Sequence, residues 1–511
     1  MTASMPPKIT AFWHRCSPVQ RIFVALAAFL TLLFVIAGSL IATELIATNL
    51  INTSASSQFE SKFEAKNSKN NVKPTAATLE HGAYLAKVGN CAACHTARGG
   101  AAFAGGKAIN TPFGTVYTSN ITPDPASGIG LWSPDAFYRA LHEGRSADGH
   151  LLTPAFPYPN YTHVSRADSD ALHAYFMHGV APVAQPNRAH ELPFPYNTQF
   201  ALAFWRLMFF DKDDENVKIT VNKIALKTIN TPAIAINEPK NGISTAQMPQ
   251  MAQTTQTVGT DDLARGAYLV RGLGHCSACH AERNALGASI NDQLLSGALM
   301  PMHDWYAPSL MAKTEAGVAH WPRQDVVALL KTGIAPNASM LGPMAEVVAG
   351  STQFWADADL QAAAAYLQSL PQTNAKTPTK STASITPAAN TKPQPVLFNR
   401  GAELFTQHCA TCHGEQGQGM KVEGNVALPA LAGNRAVTMT NSTNLVRIIL
   451  AGGYAPSTPG NPRPFGMPPF VHVLNDTDIA AVTTYIRNAW GNQADALSAA
   501  DVVRQRQGVM R

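Results

Sequence analysis

Three copies of a Cys-x-x-Cys-His motif constrain this 511-residue chain more than any other feature. Two thiols separated by two residues and followed directly by an imidazole are typical of covalent haem attachment, with the histidine binding the iron on its proximal side. The thiols expected to form thioether bonds are Cys91, Cys94, Cys276, Cys279, Cys409 and Cys412. The expected proximal iron ligands are His95, His280 and His413. The sequence thus predicts three covalently bound haem c groups.

Two other uses of such cysteine pairs, a redox disulfide and a zinc site, fit the chain less well. A zinc site needs two Cys-x-x-Cys pairs about 15 to 20 residues apart. Here the first motif starts at residue 91 and the second at residue 276. Six of the seven cysteines lie in the motifs, which leaves Cys16 alone and excludes a structural disulfide outside them.

Composition sets the size and the class of the protein. With 46% hydrophobic and 14% charged residues, the chain is long enough for about three domains, each with its own core. The net charge is only +5, and no dense cluster of Lys and Arg interleaved with aromatic residues occurs. We therefore expect no nucleic-acid partner.

The N-terminal region contains an uncharged apolar stretch at residues 22–42. About 20 such residues suffice for a helix to cross the hydrocarbon core of a bilayer. Lys8, Arg15 and Arg21 precede the stretch and Glu44 follows it, so the N-terminus is expected to be cytoplasmic. A cleaved signal peptide, whose apolar region usually has about 7 to 15 residues, is the alternative. Either one places the haem domains in the periplasm, and the retained anchor predicts a protein of the bacterial inner membrane.

Low-complexity stretches divide the chain, because they cannot bury enough apolar surface to offset the entropy of ordering. The predicted segments are 1–50, a cytoplasmic N-terminus and transmembrane anchor; 51–75, a linker; 76–210, domain I; 211–258, an inter-domain excursion; 259–371, domain II; 372–396, a flexible linker; 397–492, domain III; and 493–511, a C-terminal tail. The three domains are called units one, two and three below.

One helical pattern recurs in the three units. A short helix with a Gly-Ala signature precedes each motif, starting its signature at Gly82, Gly266 and Gly401. A closing helix carries an Asp and, two turns later, a Tyr: Asp168 and Tyr175, Asp359 and Tyr366, Asp478 and Tyr485. Between them a helix is predicted at 134–143, 323–332 and 444–451, each stopped by a glycine.

This order resembles the class I cytochrome c fold, and no strand pattern competes with it in those regions. The predicted fold class is all-α: three class I cytochrome c-like domains in tandem with one N-terminal transmembrane helix.

The distal iron ligands are the residues that distinguish the units, since axial ligands tune the potential and decide whether an iron binds other molecules. In class I cytochromes the distal ligand is a Met in the loop before the last helix. Unit three offers Met467, and unit two offers Met344, with Met340 as the fallback. A methionine more often fills a core, but one placed among Pro and Gly in this loop favours a ligand.

Unit one breaks this pattern, because Phe156 occupies the corresponding loop and has no lone pair to give. We hypothesise that its haem is five-coordinate or takes a nearby histidine. The candidates are His150 and His163, and Met177 is a poorer one because it falls within the closing helix.

Further motifs carry a family resemblance. They include Thr-Pro-Phe-Gly-Thr at 111–115 and Asn-Ile-Thr-Pro-Asp at 120–124, Gly-Pro-Met-Ala-Glu-Val-Val at 342–348, and Thr-Tyr-Ile-Arg-Asn at 484–488. With these the chain resembles the three-haem cytochrome c subunit of membrane-bound bacterial dehydrogenases that act on alcohols, gluconate, sorbitol and aldehydes. The resemblance implies a partner dehydrogenase subunit carrying flavin, pyrroloquinoline quinone or molybdenum cofactor. It also implies electron delivery to ubiquinone or a terminal oxidase.

The leading functional hypothesis is therefore a membrane-anchored periplasmic electron carrier, with substrate oxidation on a separate subunit. No Ser/His/Asp arrangement or paired carboxylates indicate chemistry of the chain's own. Two alternatives stay open: a ligand-binding or peroxidase-like haem protein that uses an open iron in unit one, and a cytochrome subunit of a terminal oxidase.

Overall fold

The computed structural model describes residues 38–39, 74–211, 260–290, 295–300, 304–336, 338–373, 394–422 and 425–509. Most of the predicted transmembrane stretch at 22–42 lies outside these residues. So do nearly all of the predicted linker 51–75, the excursion 211–258 and the predicted linker 372–396. The description that follows concerns the three units and the C-terminal segment.

Each unit starts with a helix, carries its cysteine motif on a short second helix, and has a later 13-residue helix that packs back on the first. Unit one contains α1 (Ala76–Val88), α2 (Cys91–His95), β1 (Ala108–Thr111), β2 (Gly114–Tyr117), α3 (Pro134–Glu143), α4 (Tyr158–Tyr161), α5 (Arg166–His178) and α6 (Gln199–Phe209). Unit two contains α7 (Thr260–Ala267), a π-helical segment (Tyr268–Leu273), α8 (Ser277–His280), β3 (Ala298–Met300), β4 (Trp305–Ala307), α9 (Arg323–Thr332), β5 (Ile334–Ala335), β6 (Ala338–Ser339), α10 (Pro343–Gly350), a 3-10 turn (Thr352–Phe354) and α11 (Asp357–Ser369).

Unit three has the same plan. It contains α12 (Pro395–His408), α13 (Ala410–His413), β7 (Met420–Val422), β8 (Asn425–Leu428), α14 (Arg435–Thr438), α15 (Thr443–Ala451), β9 (Gly453–Tyr454), β10 (Gly466–Met467) and α16 (Asp476–Asn488). The segment predicted as a C-terminal tail forms a further helix, α17 (Ala499–Val509), which docks on α15 and α16. Arg506 on α17 bonds to Asp476 at the start of α16, and Val502 is fully buried.

Glycine lets the first and last helices of every unit cross in direct contact. A β-carbon on Gly82, Gly266 or Gly401 would lie 2.1 to 2.2 Å from a backbone carbonyl oxygen of the opposite helix. It would also lie 2.6 to 2.7 Å from the β-carbon of the tyrosine of that helix. These separations are far shorter than van der Waals contact. The crossing therefore excludes every side chain larger than hydrogen.

The middle helices lie where the sequence predicts them. Helices α3 and α9 have the predicted bounds, and α15 begins one residue early. The Ser133 hydroxyl accepts a hydrogen bond from the Ala136 N–H at 3.1 Å, which is an N-cap. Gly144 and Gly333 end α3 and α9 with φ of 57° and 79°, a left-handed conformation that favours glycine.

The predicted fold class needs correction, because the chain is not all-α. The described residues contain five antiparallel two-stranded sheets, formed by β1 with β2, β3 with β4, β5 with β6, β7 with β8, and β9 with β10. They escape a search for strand periodicity because a strand of two to four residues is too short to show alternation.

The described residues contain no counterpart of the transmembrane helix of that predicted fold class either. Across the described ranges, no helix combines the length and the apolar character needed to cross a bilayer.

Units one and two share one hydrophobic core, whereas unit three has its own. The two units also exchange tyrosine hydrogen bonds. Tyr84 of unit one donates to Asp359 of unit two at 2.5 Å, and Tyr268 of unit two donates to Asp168 of unit one. Each tyrosine belongs to a first helical stretch and each aspartate to a closing helix, so the contact is reciprocal.

Unit three lacks this exchange. Glu403 stands at the position that Tyr84 and Tyr268 occupy in the other units, and Arg400 pairs with Asp478 within unit three, at 3.0 Å. Unit three instead meets unit two through Asn444, whose side-chain amide bonds both the N–H and the carbonyl of Tyr306 at 2.8 and 2.7 Å. The described residues thus form a joined pair of units and a third unit that contacts unit two.

We predict that Gly401→Ala destabilises unit three by about 2 kcal/mol, because the added methyl group overpacks the crossing of α12 and α16. Denaturant unfolding of the full chain measures this. Gln407→Ala, an exposed position on the same helix, is the matched control and should leave the transition in place. Equal stability of the two variants would contradict the close contact between α12 and α16 at Gly401.

Candidate haem sites

A sharp turn at the end of the first helical stretch positions each cysteine motif in units one and two. Asn90 and His275, which directly precede the first motif cysteine, have φ of 50° and 39°. Asparagine and histidine are among the residues that, besides glycine, enter this left-handed region most readily. In unit three, Cys409 itself caps α12. The motif helices therefore start directly after the first helical stretch of each unit.

All six motif thiols are free, as haem attachment requires. The first thiol of each motif, in Cys91, Cys276 and Cys409, is partly buried, and the second, in Cys94, Cys279 and Cys412, is exposed. Burial raises the pKa of Cys91 and Cys276 to about 12 and that of Cys409 to about 11. Each motif thus presents one thiol inward and one outward.

The motif histidines are oriented by backbone carbonyl groups. Nδ1 of His95 lies 2.7 Å from the Ser119 oxygen, Nδ1 of His280 lies 2.7 Å from the Pro308 oxygen, and Nδ1 of His413 lies 3.2 Å from the Pro429 oxygen. A carbonyl oxygen can only accept, so Nδ1 carries the proton and Nε2 keeps its lone pair.

Desolvation lowers the pKa of all three motif imidazoles, and hence favours the neutral form that binds a metal. Two free thiols and a neutral imidazole with a fixed tautomer are the donor set of a covalently attached haem. The three motifs therefore fit haem c, which would supply one-electron redox chemistry when bound.

Met467 lies in β10, which pairs with the strand that follows α15 directly. Its ladder partner is Gly453, and it packs partly buried against the core of unit three. A β-carbon on Gly452 would lie 2.3 Å from the Met467 carbonyl oxygen, so the end of α15 holds this strand closely. Met467 thus lies before the closing helix, in a two-residue strand where the sequence predicts a loop.

Met344 lies in the first turn of α10 and not in a loop, which differs from the expectation. Gly342 precedes it with φ of 57° and packs against the ring of Trp305. The fallback residue Met340 bonds through its N–H to the Gly333 carbonyl at 2.8 Å, at the end of α9. Both methionines are partly buried in unit two.

The loop of unit one that carries Phe156 is held by backbone hydrogen bonds, among them the one from the Phe156 N–H to the Thr153 carbonyl at 3.1 Å. The Phe156 ring lies partly buried against the shared core, with its centroid 5.4 Å from that of Tyr161. His150 is half-exposed and its Nδ1 lies 2.5 Å from Asp148. His163 lies against Gly272 of unit two. The two candidate histidines are thus in different surroundings, one at the surface and one at the boundary between the units.

Sequence reasoning missed the residues behind the imidazoles. Glu315 and Tyr306 of unit two are buried and bonded to each other, beside the carbonyl that orients His280. A lone Glu without a motif gives no signal in the sequence. The tyrosines that link units one and two did carry a signal, because Tyr84 and Tyr268 share a position that Glu403 occupies in unit three.

Comparison with known proteins gives the family. The cytochrome c family model matches residues 398–490, which is unit three. The chain is 37% identical over 445 residues to the cytochrome c subunit of a quinone alcohol dehydrogenase from Gluconacetobacter polyoxogenes, covering 84% of each chain. It is 36% identical over 439 residues to the gluconate 2-dehydrogenase cytochrome c subunit of Pantoea cypripedii, covering 84% of this chain and 90% of the relative. The chain belongs to the family of dehydrogenase cytochrome c subunits.

A third relative, the fructose dehydrogenase cytochrome subunit of Gluconobacter japonicus, is 33% identical over 444 residues. A cytochrome c domain at 398–490 means that this cytochrome c subunit binds haem c covalently. The expected tandem of three class I cytochrome c domains needs correction, because the family model matches one unit. Units one and two repeat its helix plan and motif but diverge from it in sequence.

We predict that the double variant Cys409→Ala/Cys412→Ala loses the haem of unit three, because no thiol remains there for a thioether bond. The haemochrome spectrum of the denatured, solvent-extracted chain measures covalently retained haem. Thr411→Ala, which changes only a spacer residue of the same motif, is the control and should retain it. Full retention of haem in the double variant would contradict the assignment of Cys409 and Cys412 as the attachment thiols.

Proposed function

We propose that this cytochrome c subunit carries electrons from a partner dehydrogenase, through haem c bound at all three motifs, to ubiquinone or a terminal acceptor. The observation that carries the proposal is the repeated donor set: two free thiols and an imidazole oriented by a backbone carbonyl in each unit. The relatives support a dehydrogenase partner, since they are named as cytochrome subunits of alcohol, gluconate and fructose dehydrogenases.

The contact between units one and two supports transfer between their sites. The Asn160 side chain donates to the Arg271 carbonyl at 3.1 Å and to the Ser277 hydroxyl inside the second motif at 2.6 Å. The ring of Tyr161 meets that of His275 edge to face, with centroids 5.7 Å apart. Electron tunnelling falls steeply with distance, so holding an attachment turn against the neighbouring unit favours rapid exchange.

Unit two makes a similar contact with the attachment turn of unit one. The Ser351 hydroxyl donates to the carbonyl of Val88 at 2.8 Å, close to the turn that precedes Cys91. Each of these units thus holds the attachment turn of the other. Unit three joins unit two through Asn444 and through Arg447, whose guanidinium lies 5.6 Å from the centroid of the Trp305 ring. These contacts support a continuous route along the chain.

For the location, we propose the periplasmic face of the bacterial inner membrane. Covalent haem attachment at Cys-x-x-Cys-His motifs is the chemistry that supports it. The acceptor beyond this subunit, ubiquinone or an oxidase, is part of the same proposal.

The test uses the full chain together with its dehydrogenase. We expect three haem equivalents per chain by haemochrome, and reduction of all three when the dehydrogenase is given its substrate. Dehydrogenase without substrate is the control. A chain that holds three haems but stays oxidised would overturn the electron-carrier role, and a chain with fewer haems would overturn the count.

For the distal ligands, we propose Met467 in unit three and Met344 in unit two, with no methionine ligand in unit one. Because Phe156 offers no lone pair, the iron of unit one is either five-coordinate, in which case carbon monoxide binds one of the three reduced haems, or ligated by His150 or His163, in which case it does not. Phe156→Met should suppress this binding and add the red-end absorption band of a methionine-ligated ferric haem. Met177→Leu is the control and should change neither property. Carbon monoxide binding that persists unchanged in Phe156→Met would contradict the assignment.

A further inference from the structure

A buried carboxyl group lies behind the proximal histidine of unit two. Glu315 is only 5% exposed. Its carboxyl oxygens accept hydrogen bonds from the Tyr306 hydroxyl at 3.2 and 3.0 Å, and Oε2 accepts from the Ser309 N–H at 2.7 Å. Carboxylates are seldom buried to this extent unless they are paired with a charge or accept hydrogen bonds.

The Ser309 N–H belongs to the same peptide unit as the carbonyl that orients His280. That carbonyl, of Pro308, lies 2.7 Å from His280 Nδ1. The order of bonds is therefore imidazole N–H to carbonyl oxygen, then across the peptide group, then amide N–H to carboxylate. Hydrogen bonds in such a row polarise one another, and the effect is stronger where the surroundings are apolar.

We propose that Glu315 is a positioning residue that acts on the iron of unit two through this peptide group and His280, lowering its reduction potential. Negative charge at one end of the row makes the Pro308 oxygen a stronger acceptor. The imidazole then becomes more electron-rich and stabilises the ferric iron relative to the ferrous iron. The inference rests on the proposed function, in which the iron takes one electron from the dehydrogenase and yields it to the acceptor.

The other two units provide internal comparisons. In unit one the peptide group behind His95 joins Ser119 and Asn120, and the Asn120 N–H donates to the side-chain oxygen of Asn187 at 2.7 Å. That acceptor is a neutral amide on an exposed residue. In unit three the bond from His413 Nδ1 to its carbonyl is longer, at 3.2 Å. Only unit two, among the described residues, combines a short bond with a buried carboxyl group.

The local backbone is built to admit this carboxyl group and its partners. A β-carbon on Gly297 would lie 2.7 Å from the Ser309 nitrogen and 2.8 Å from the Tyr306 hydroxyl oxygen. Gly297 also has φ of 85°. Glycine at this position therefore leaves space for Tyr306 and Ser309 to converge on Glu315.

Spectroelectrochemical titration of the full haem-loaded chain, at mildly alkaline pH, tests the proposal. Glu315→Gln keeps the shape and a hydrogen-bond acceptor but removes the charge. We expect one of the three one-electron waves to move to higher potential, by roughly a tenfold change in the reduction equilibrium, about 59 mV. Asp304→Asn, an exposed acid in the turn between β3 and β4, is the matched control and should leave all waves in place.

A second variant tests the reverse change in unit one and does not depend on the folding of Glu315→Gln. Asn187→Asp places a carboxylate on the Asn120 N–H, and we expect a different wave to move to lower potential. Its shift should be smaller, since Asn187 is exposed and water screens the charge. The double variant should show two moved waves.

The two proposals fail in different ways. One outcome would overturn the role of Glu315 alone. All three haems would be reduced when the dehydrogenase is given its substrate, but no wave would change potential in Glu315→Gln or in Asn187→Asp. Movement of the same wave by both variants would also overturn it. Absence of three waves in the unaltered chain would instead contradict the proposed function.

Discussion

The close crossing of the first and last helices of each unit is the contact on which the other features depend. Gly82, Gly266 and Gly401 each place a helix backbone against the carbonyl groups of the opposite helix. The motif cysteines follow within a few residues of the first helical stretch, so the crossing also determines where the thiols and the imidazole stand. A side chain at the crossing would separate the helices and displace the haem site with them.

The crossing is common to the units, but their surfaces have diverged. Tyr84 and Tyr268 bind the closing helices of each other's units, and the two units share one core. Glu403 replaces this tyrosine in unit three, which keeps its own core and adds α17 to cover it. The exchange of a single residue type at one repeated position thus accompanies the difference between a joined pair and a separate unit.

The three Cys-x-x-Cys-His motifs stand in different surroundings. The acceptors behind the imidazoles differ: a peptide backed by a neutral amide in unit one, a peptide backed by Glu315 in unit two, and a longer bond in unit three. The residues proposed for the distal side differ as well, with Phe156 in unit one and methionines in the others. Under the proposed function, this variation in the supporting residues would give the haems different potentials.

The sequence by itself determined the helix bounds at 134–143 and 323–332 and the closing helices with their Asp and Tyr. It also located the three Cys-x-x-Cys-His motifs, whose roles as haem thiols and proximal ligands stay predictions. These depend on local chemistry: motif spacing, N-caps such as Ser133, and glycine stops such as Gly144. The short hairpins were missed because two to four residues carry too little periodicity, and Met344 was expected in a loop that is a helix. Only the tertiary structure decided which units join, and that Glu315 stands behind His280. Such contacts join residues far apart in the chain, and their energies come from burial and from partners that no local pattern specifies.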